Sequence, residues 1–146
     1  HGSKMIQAVA NARVPKFTFV LGGSFGAGNY GMCGRGFDPR FIFSWPTART
    51  AVMGGAQAAK VMDIVNRAKI ERMGAEVNEE ALAAMSDGLR LRLDKESAAL
   101  FGTARLWDDG IIDPRDTRRI LGLCLALARE ADARTLHPNT FGVARL

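Results

Sequence analysis

The hexapeptide Gly26-Ala27-Gly28-Asn29-Tyr30-Gly31 has the spacing G-x-G-x-x-G and follows an apolar run, Phe17 to Leu21, that reads as a strand. That pattern outlines a dinucleotide-binding turn, whose backbone N–H groups cradle a pyrophosphate. The turn also needs an acid about 20 residues on, for the ribose. Ala48, Arg49 and Thr50 stand there instead; Asp38 comes too early and the next carboxylate is Asp63. A Walker loop needs Gly-Lys-Ser/Thr, and Gly31-Met32 supplies neither the lysine nor the hydroxyl. The overlapping stretch Gly22-Gly23-Ser24-Phe25-Gly26 matches the nucleophile elbow G-x-S-x-G. Yet the chain's two histidines, His1 and His137, stand at its opposite ends, and no acid suggests itself for a triad.

One chemical reading of the cluster needs no side chain. Glycines after a strand leave backbone N–H groups unobstructed, and two such groups aimed at one point stabilise a developing oxyanion. A helix beginning there would add its dipole. The same glycines would equally permit close helix–sheet packing. Composition and spacing leave both readings open.

Other chemistries are less well supplied. Cys33 and Cys124 lie far apart and no C-x-x-C, H-x-x-H or H-E-x-x-H pattern occurs, so no zinc site is expected. Reduced, buried thiols of an intracellular protein fit this usage. The net charge is +5, with a pI near 9.8. The basic residues are interleaved with acids, as Arg67, Lys69 and Arg72 are with Glu71, and form no stripe with aromatics; nucleic acid is not an expected partner. A phosphorylated small ligand or an acidic partner surface suits the surplus as well. No apolar run is long enough to span a bilayer, so no membrane association is expected.

The elements that would position the cluster can be read from periodicity and breakers. Met5, Ile6, Val9 and Ala12 have helical spacing over Lys4 to Arg13, and Val14-Pro15 ends that helix. Phe41 to Trp45 and Thr50 to Met53 read as two further strands. Ala56 to Arg72 and Asn78 to Leu100 are rich in helix formers, with Gly74 closing the first and Asn78 capping the second. Gly110 to Pro114 reads as a short strand, and Asp116 to Asp132 as a helix with Ile120, Leu121, Cys124 and Leu127 on one face. Strands alternating with helices predict a layered α/β architecture.

Four segments carry a resemblance: "PKFTFVLGGSFGAGNYGMCGR" (Pro15–Arg35), "FSWPTARTAVMGG" (Phe43–Gly55), "LWDDGIIDPRDTR" (Leu106–Arg118) and the terminal "FGVARL" (Phe141–Leu146). Together they resemble the C-terminal part of the carboxyltransferase (β) subunit of biotin-dependent acyl-CoA carboxylases, in the 3-methylcrotonyl-CoA and geranyl-CoA branch. The resemblance runs along essentially the whole chain. It implies a crotonase-like α/β fold of β-β-α spiral layers. Residues 1–146 would then form a fragment, most of the second of two such domains, with the N-terminal carboxyltransferase domain absent.

The activity implied is transfer of CO₂ from N-carboxybiotin to an acyl-CoA. Biotin would be the cofactor, carried on a partner biotin carboxylase/carrier α subunit, and β subunits would assemble into a homo-oligomer. The compartment implied is the cytoplasm of a bacterium or the mitochondrial matrix of a eukaryote. Mapped by motif, the backbone oxyanion hole for the biotin ureido oxygen falls at Ala27 and Gly28. Phe25, Gly26 and Tyr30 would flank it. Gly54 and Gly55 look like the family's helix start beside the same pocket, with helix–strand packing as their alternative role. Trp45 and Pro46 are candidates to line the biotin or acyl cavity, with core packing as the alternative. "GRGFDPRF" (Gly34–Phe41) stands where methylcrotonyl-type sequences more often read "GRAYSPRF", which leans the substrate toward geranyl-CoA. The acyl-CoA site and the first oxyanion hole belong to the N-terminal domain in this family, so the chain alone is expected to be inactive. A nucleotide-binding module and a non-catalytic assembly fragment are the competing readings.

Overall fold

The computed structural model describes residues 1–136. His137 and the Phe141–Leu146 motif lie outside the described residues. Helix α1 (Gly2–Asn11) comes first and stops where Ala12 turns extended, at φ −64° and ψ 121°. The chain then makes strand, strand, helix twice over. The first round is β1 (Phe17–Val20), β2 (Gly23–Phe25) and α2 (Gly26–Gly31); the second is β3 (Phe41–Ser44), β4 (Arg49–Ala51) and α3 (Gly55–Arg72).

Each strand of the second round lies parallel beside its counterpart. Phe17 pairs with Phe41 through to Val20 with Ser44, and Gly23 pairs with Arg49 through to Phe25 with Ala51. A third round begins at Ile111, which bridges Ser44 in parallel. This is the layered β-β-α spiral. Because side chains alternate across a strand, the register stacks Phe17 on Phe41 and Phe19 beside Phe43, with ring centroids 6.3 and 5.9 Å apart. Val20 and Ile42 take the opposite face and meet Ala48 and Ala99 in the core.

Helix α3 and α4 (Glu79–Glu96) form an antiparallel hairpin. Ser86 donates to the Ala59 carbonyl near its middle, and Arg67 grips Glu79 near its open loop. Gly74, at φ +66°, follows the end of α3, and the Asn78 side chain accepts from the Ala81 N–H as the cap of α4. Then come α5 (Ala99–Thr103), a 3₁₀ turn at Pro114–Asp116 and α6 (Thr117–Ala133).

Several boundaries differ from the sequence reading. Gly23-Ser24-Phe25 becomes a strand although Gly23 is a poor strand former and the run is only three residues, because β4 offers it a partner. The strand expected at Thr50–Met53 is β4, Arg49–Ala51; Val52 swings out to 87% exposure and turns its carbonyl toward Gly26. The helix expected over Asn78–Leu100 breaks at Ser97-Ala98. There the Thr50 N–H donates to the Ser97 carbonyl at 2.8 Å and Ala98 bridges Arg49. The strand expected at Gly110–Pro114 shrinks to the single bridge at Ile111.

The chain exposes 11168 Å² of surface, against about 7,300 Å² for a compact monomer of its mass. Apolar side chains on three helices are among the exposed ones: Val61, Ile64 and Val65 of α3, Met85 and Leu91 of α4, and Leu123 and Leu125 of α6.

Candidate functional site

The end of β2 and the start of α2 form the candidate site. Phe25 is still extended, at φ −122° and ψ 142°, and the helix begins at the next residue. Gly26 makes the change of direction at φ +49°, a conformation L side chains rarely adopt. A Cβ at Gly26 would stand 2.8 Å from the Val52 carbonyl oxygen. The turn therefore requires glycine twice over, for its backbone angle and for its closeness to the β4 exit.

Ala27 and Gly28 follow in the first turn, where N–H groups have no intrahelical acceptor. The Phe25 side chain offers no cap, and among the described residues neither the Ala27 nor the Gly28 N–H has a hydrogen-bond partner. Both residues are exposed, and a Cβ at Gly28 would meet nothing within 4 Å. Two neighbouring donors without acceptors thus lie on exposed residues at the start of the helix. That arrangement suits one anionic or strongly polarised oxygen.

The flanking aromatics are partly free. Phe25 is 36% exposed, its ring folded back over Gly23. Tyr30 is 54% exposed and meets Phe37 edge-on with centroids 6.1 Å apart; Gly36 lies against its ring. Beyond Val52 an apolar groove of about 440 Å³ runs between β4 and the helices, lined by Val52, Met53, Ala58, Val61, Met62 and Trp107 among others.

The other expected site residues are placed differently. Gly54 caps α3 only two residues past Val52, so it borders the turn. Gly55 is buried against α4, where a Cβ would lie 3.0 Å from the Arg90 carbonyl. The packing contact it makes is helix on helix, where helix–strand packing was the expected alternative to a place beside the pocket. Trp45 is half-buried and donates from Nε1 to Thr117 Oγ1 at 3.0 Å, which ties β3 to α6, while Pro46 is exposed.

Sequence reasoning missed two polar assemblies behind the turn. Asn29 Nδ2 donates to Ser24 Oγ at 2.9 Å, joining α2 to β2. Asp108 is 9% exposed and accepts from Ser44 Oγ at 2.6 Å, Thr103 Oγ1 at 2.7 Å and the Gly110 N–H at 3.2 Å. Its neighbour Asp109 accepts from the Ile42 N–H at 2.7 Å and Arg35 at 3.4 Å. The paired acids of "WDDG" were the available signal. They fasten the third round of the spiral to β3.

Displaced pKa values lie away from the turn. Arg67 holds the Glu79 carboxyl below its ordinary range through two hydrogen bonds, and Arg115 does the same for Asp113. Burial pushes the Cys124 thiol up, which keeps it protonated and unreactive.

The family model "Carboxyl transferase domain" matches residues 1–143. The probable methylcrotonoyl-CoA carboxylase beta chain of Drosophila melanogaster is 52% identical over 146 residues, covering 100% of this chain and 25% of that protein. The probable biotin-dependent acyl-coenzyme A carboxylase beta2 subunit of Mycobacterium tuberculosis is 49% identical over 146 residues, covering 100% of this chain and 27% of its own length. Among solved structures, the geranyl-CoA carboxylase beta subunit of P. aeruginosa superposes with a TM-score of 0.86 at 60% identity, over 100% of this chain and 27% of that one. The transcarboxylase 12S hexamer superposes with a TM-score of 0.70 at 30% identity, over 97% of this chain and 25% of that one. The chain spans about a quarter of the length of these relatives. With a family model matched along nearly its whole length and a crotonase-like spiral around a glycine turn, the chain belongs to the carboxyl transferase domain family.

Proposed function

We propose that the chain is the C-terminal carboxyltransferase domain of a biotin-dependent acyl-CoA carboxylase β subunit, acting on a branched enoyl-CoA of the geranyl-CoA class. The observation that carries this reading is the pair of N–H groups at Ala27 and Gly28, on exposed residues and without acceptors among the described residues. The "GRGFDPRF" stretch and the 60% identity to a geranyl-CoA carboxylase subunit support the choice of substrate class.

The residues fit biotin's ureido group: two neighbouring donors without acceptors, no acidic side chain on α2, and no Cβ at Gly28 to obstruct approach. Carboxylated biotin, carried on a partner α subunit, supplies the CO₂. Ala27 and Gly28 would hold the ureido oxygen and favour the negative charge that grows there as the carboxyl group leaves. The pairing of Phe25 with Ala51 and the turn at Gly26 would set where those donors stand. Phe25 and Tyr30, both partly exposed next to the turn, would be the side chains to flank the ring. The acyl-CoA would be held by a domain beyond these 146 residues, and further copies of the β subunit would cover the exposed apolar stripe of α3.

The test is Gly28→Val in the whole subunit assembled with its biotin-carrying partner. Valine finds room in the fold and would obstruct the donor pair, so kcat for geranyl-CoA carboxylation should fall about 100-fold or more. Undiminished turnover overturns the assignment of the donors. A wild-type assembly without biotin-dependent carboxylation overturns the whole reading.

A further inference from the structure

The serine of the G-x-S-x-G pattern has a place in the structure that the reading above leaves unused. Ser24 lies on β2, and its Oγ accepts from Asn29 Nδ2 of α2 at 2.9 Å. This one bond closes a short ring around Phe25, Gly26, Ala27 and Gly28, the four residues that make the turn and carry its donors. Asn29 is itself pinned from behind. The Gly34 N–H donates to the Asn29 carbonyl at 2.8 Å, and a Cβ on Gly34 would collide with the Asn29 amide oxygen. Gly34 is buried, so nothing but a glycine admits the asparagine in this position. No side chain other than Asn29 hydrogen-bonds Ser24 Oγ among the described residues, so the serine has no base to make it a nucleophile.

We propose that Ser24 and Asn29 are a positioning pair that sets the direction of the Ala27 and Gly28 N–H groups. The inference rests on the carboxyltransferase reading of those donors. The turn is held at two points: at Phe25 by its pairing with Ala51 of β4, and at Asn29 by Ser24 and Gly34. Between them lie the two donor residues, on a helix of only six residues that cannot hold its own axis. Oxyanion donors act through preorganisation, and a displacement of about 1 Å can cost about 100-fold in rate. Asn29 lines both a partly open cavity of about 270 Å³, shared with Val20, Ile42 and Asp108, and the cleft along Gly22–Ser24. Loss of its amide would therefore loosen the helix where the two meet it.

The experiment compares Ser24→Ala, Asn29→Ala and the double variant in the whole subunit with its biotin-carrying partner. Each single variant should lower kcat per folded subunit about 10- to 100-fold, with KM for the acyl-CoA within about twofold of wild type. The double variant should be no slower than the slower single, since both remove one bond. Ser24→Thr, which keeps the hydroxyl, should retain most of the rate and guards against Asn29→Ala failing to fold. Unchanged kcat in Ser24→Ala, a raised KM with kcat intact, multiplying losses in the double variant, or equal losses in Ser24→Ala and Ser24→Thr would each overturn the positioning role. A Gly28→Val variant run alongside separates the two layers. Full activity there refutes the donors themselves, whereas loss there with full activity in Ser24→Ala refutes the clamp alone.

Discussion

The strand rounds and the helical flank of this molecule are held together by different means. Between Phe17 and Ala51 the chain is joined to itself by backbone pairing in fixed register, by Asn29–Ser24, and by the two aspartates of "WDDG". The apolar core beneath is small: Val20, Ile42, Ala48 and Ala99. In α3 and α4 the order reverses. Few hydrogen bonds join the two helices, and apolar side chains such as Val61, Ile64, Val65, Met85 and Leu91 face outward. The first region fixes the position of two N–H groups within this chain alone. The second leaves a row of apolar side chains uncovered within this chain.

The comparison is broken most severely at Gly26. Gly26→Val must hold a β-branched residue at φ +49° against a carbonyl 2.8 Å away. It should cost about 3 kcal/mol or more, which corresponds to a fall of about 10 °C in unfolding temperature, and abolish carboxyl transfer as well. Gly28→Val two residues on should leave the unfolding temperature near wild type while removing activity, since its Cβ meets open space. If the two substitutions destabilise equally, the turn is not the rigid unit described.

A charge on the outward stripe of α3 probes the other region. Ile64 is 59% exposed and shares a face with Val61 and Val65, at the i, i+3, i+4 spacing of a helix seam. Covering one such side chain contributes about 1.5–3 kcal/mol. Ile64→Glu should therefore weaken self-association at least about tenfold in analytical ultracentrifugation, with the isolated fold intact by circular dichroism. An unchanged sedimentation profile across a hundredfold dilution range would leave α3 without a partner.

The two regions also differed in how much of them could be read in advance. The helical flank was legible because composition and caps are local properties. Gly74 and Asn78 ended and began helices where expected. The break at Ser97 was illegible, because it comes from the Thr50 N–H bonding across to its carbonyl. β2 was hidden for the same reason, since only β4 makes Gly23-Ser24-Phe25 extended. At the site, the glycine cluster announced itself, yet the angle that requires glycine belongs to Gly26 and depends on Val52, twenty-six positions away in the chain. Asn29 carried no signal, because its partner is recognisable only once β2 and α2 lie side by side.

The smallest expected effect is electrostatic and lies wholly in the helical flank. Arg67 donates to both Glu79 carboxylate oxygens at 2.6 and 2.7 Å and to Asp63 at 2.9 Å. The two hydrogen bonds from Arg67 to Glu79 hold that carboxyl below its ordinary value. A depressed carboxyl contributes stability that is present above its unfolded pKa, about 4.3, and is lost as the pH falls through its folded value. The pair is exposed, so screening limits what it contributes and salt should reduce it further. Glu79→Gln should therefore unfold slightly earlier than wild type at neutral pH, with the two converging once the wild-type carboxyl is protonated. Since nothing in the glycine turn depends on this pair, carboxyl transfer per folded subunit should be the same in both. A pH-independent gap in unfolding temperature would show that Glu79 contributes through packing rather than charge. A change in turnover would show that the helical hairpin and the turn are mechanically coupled.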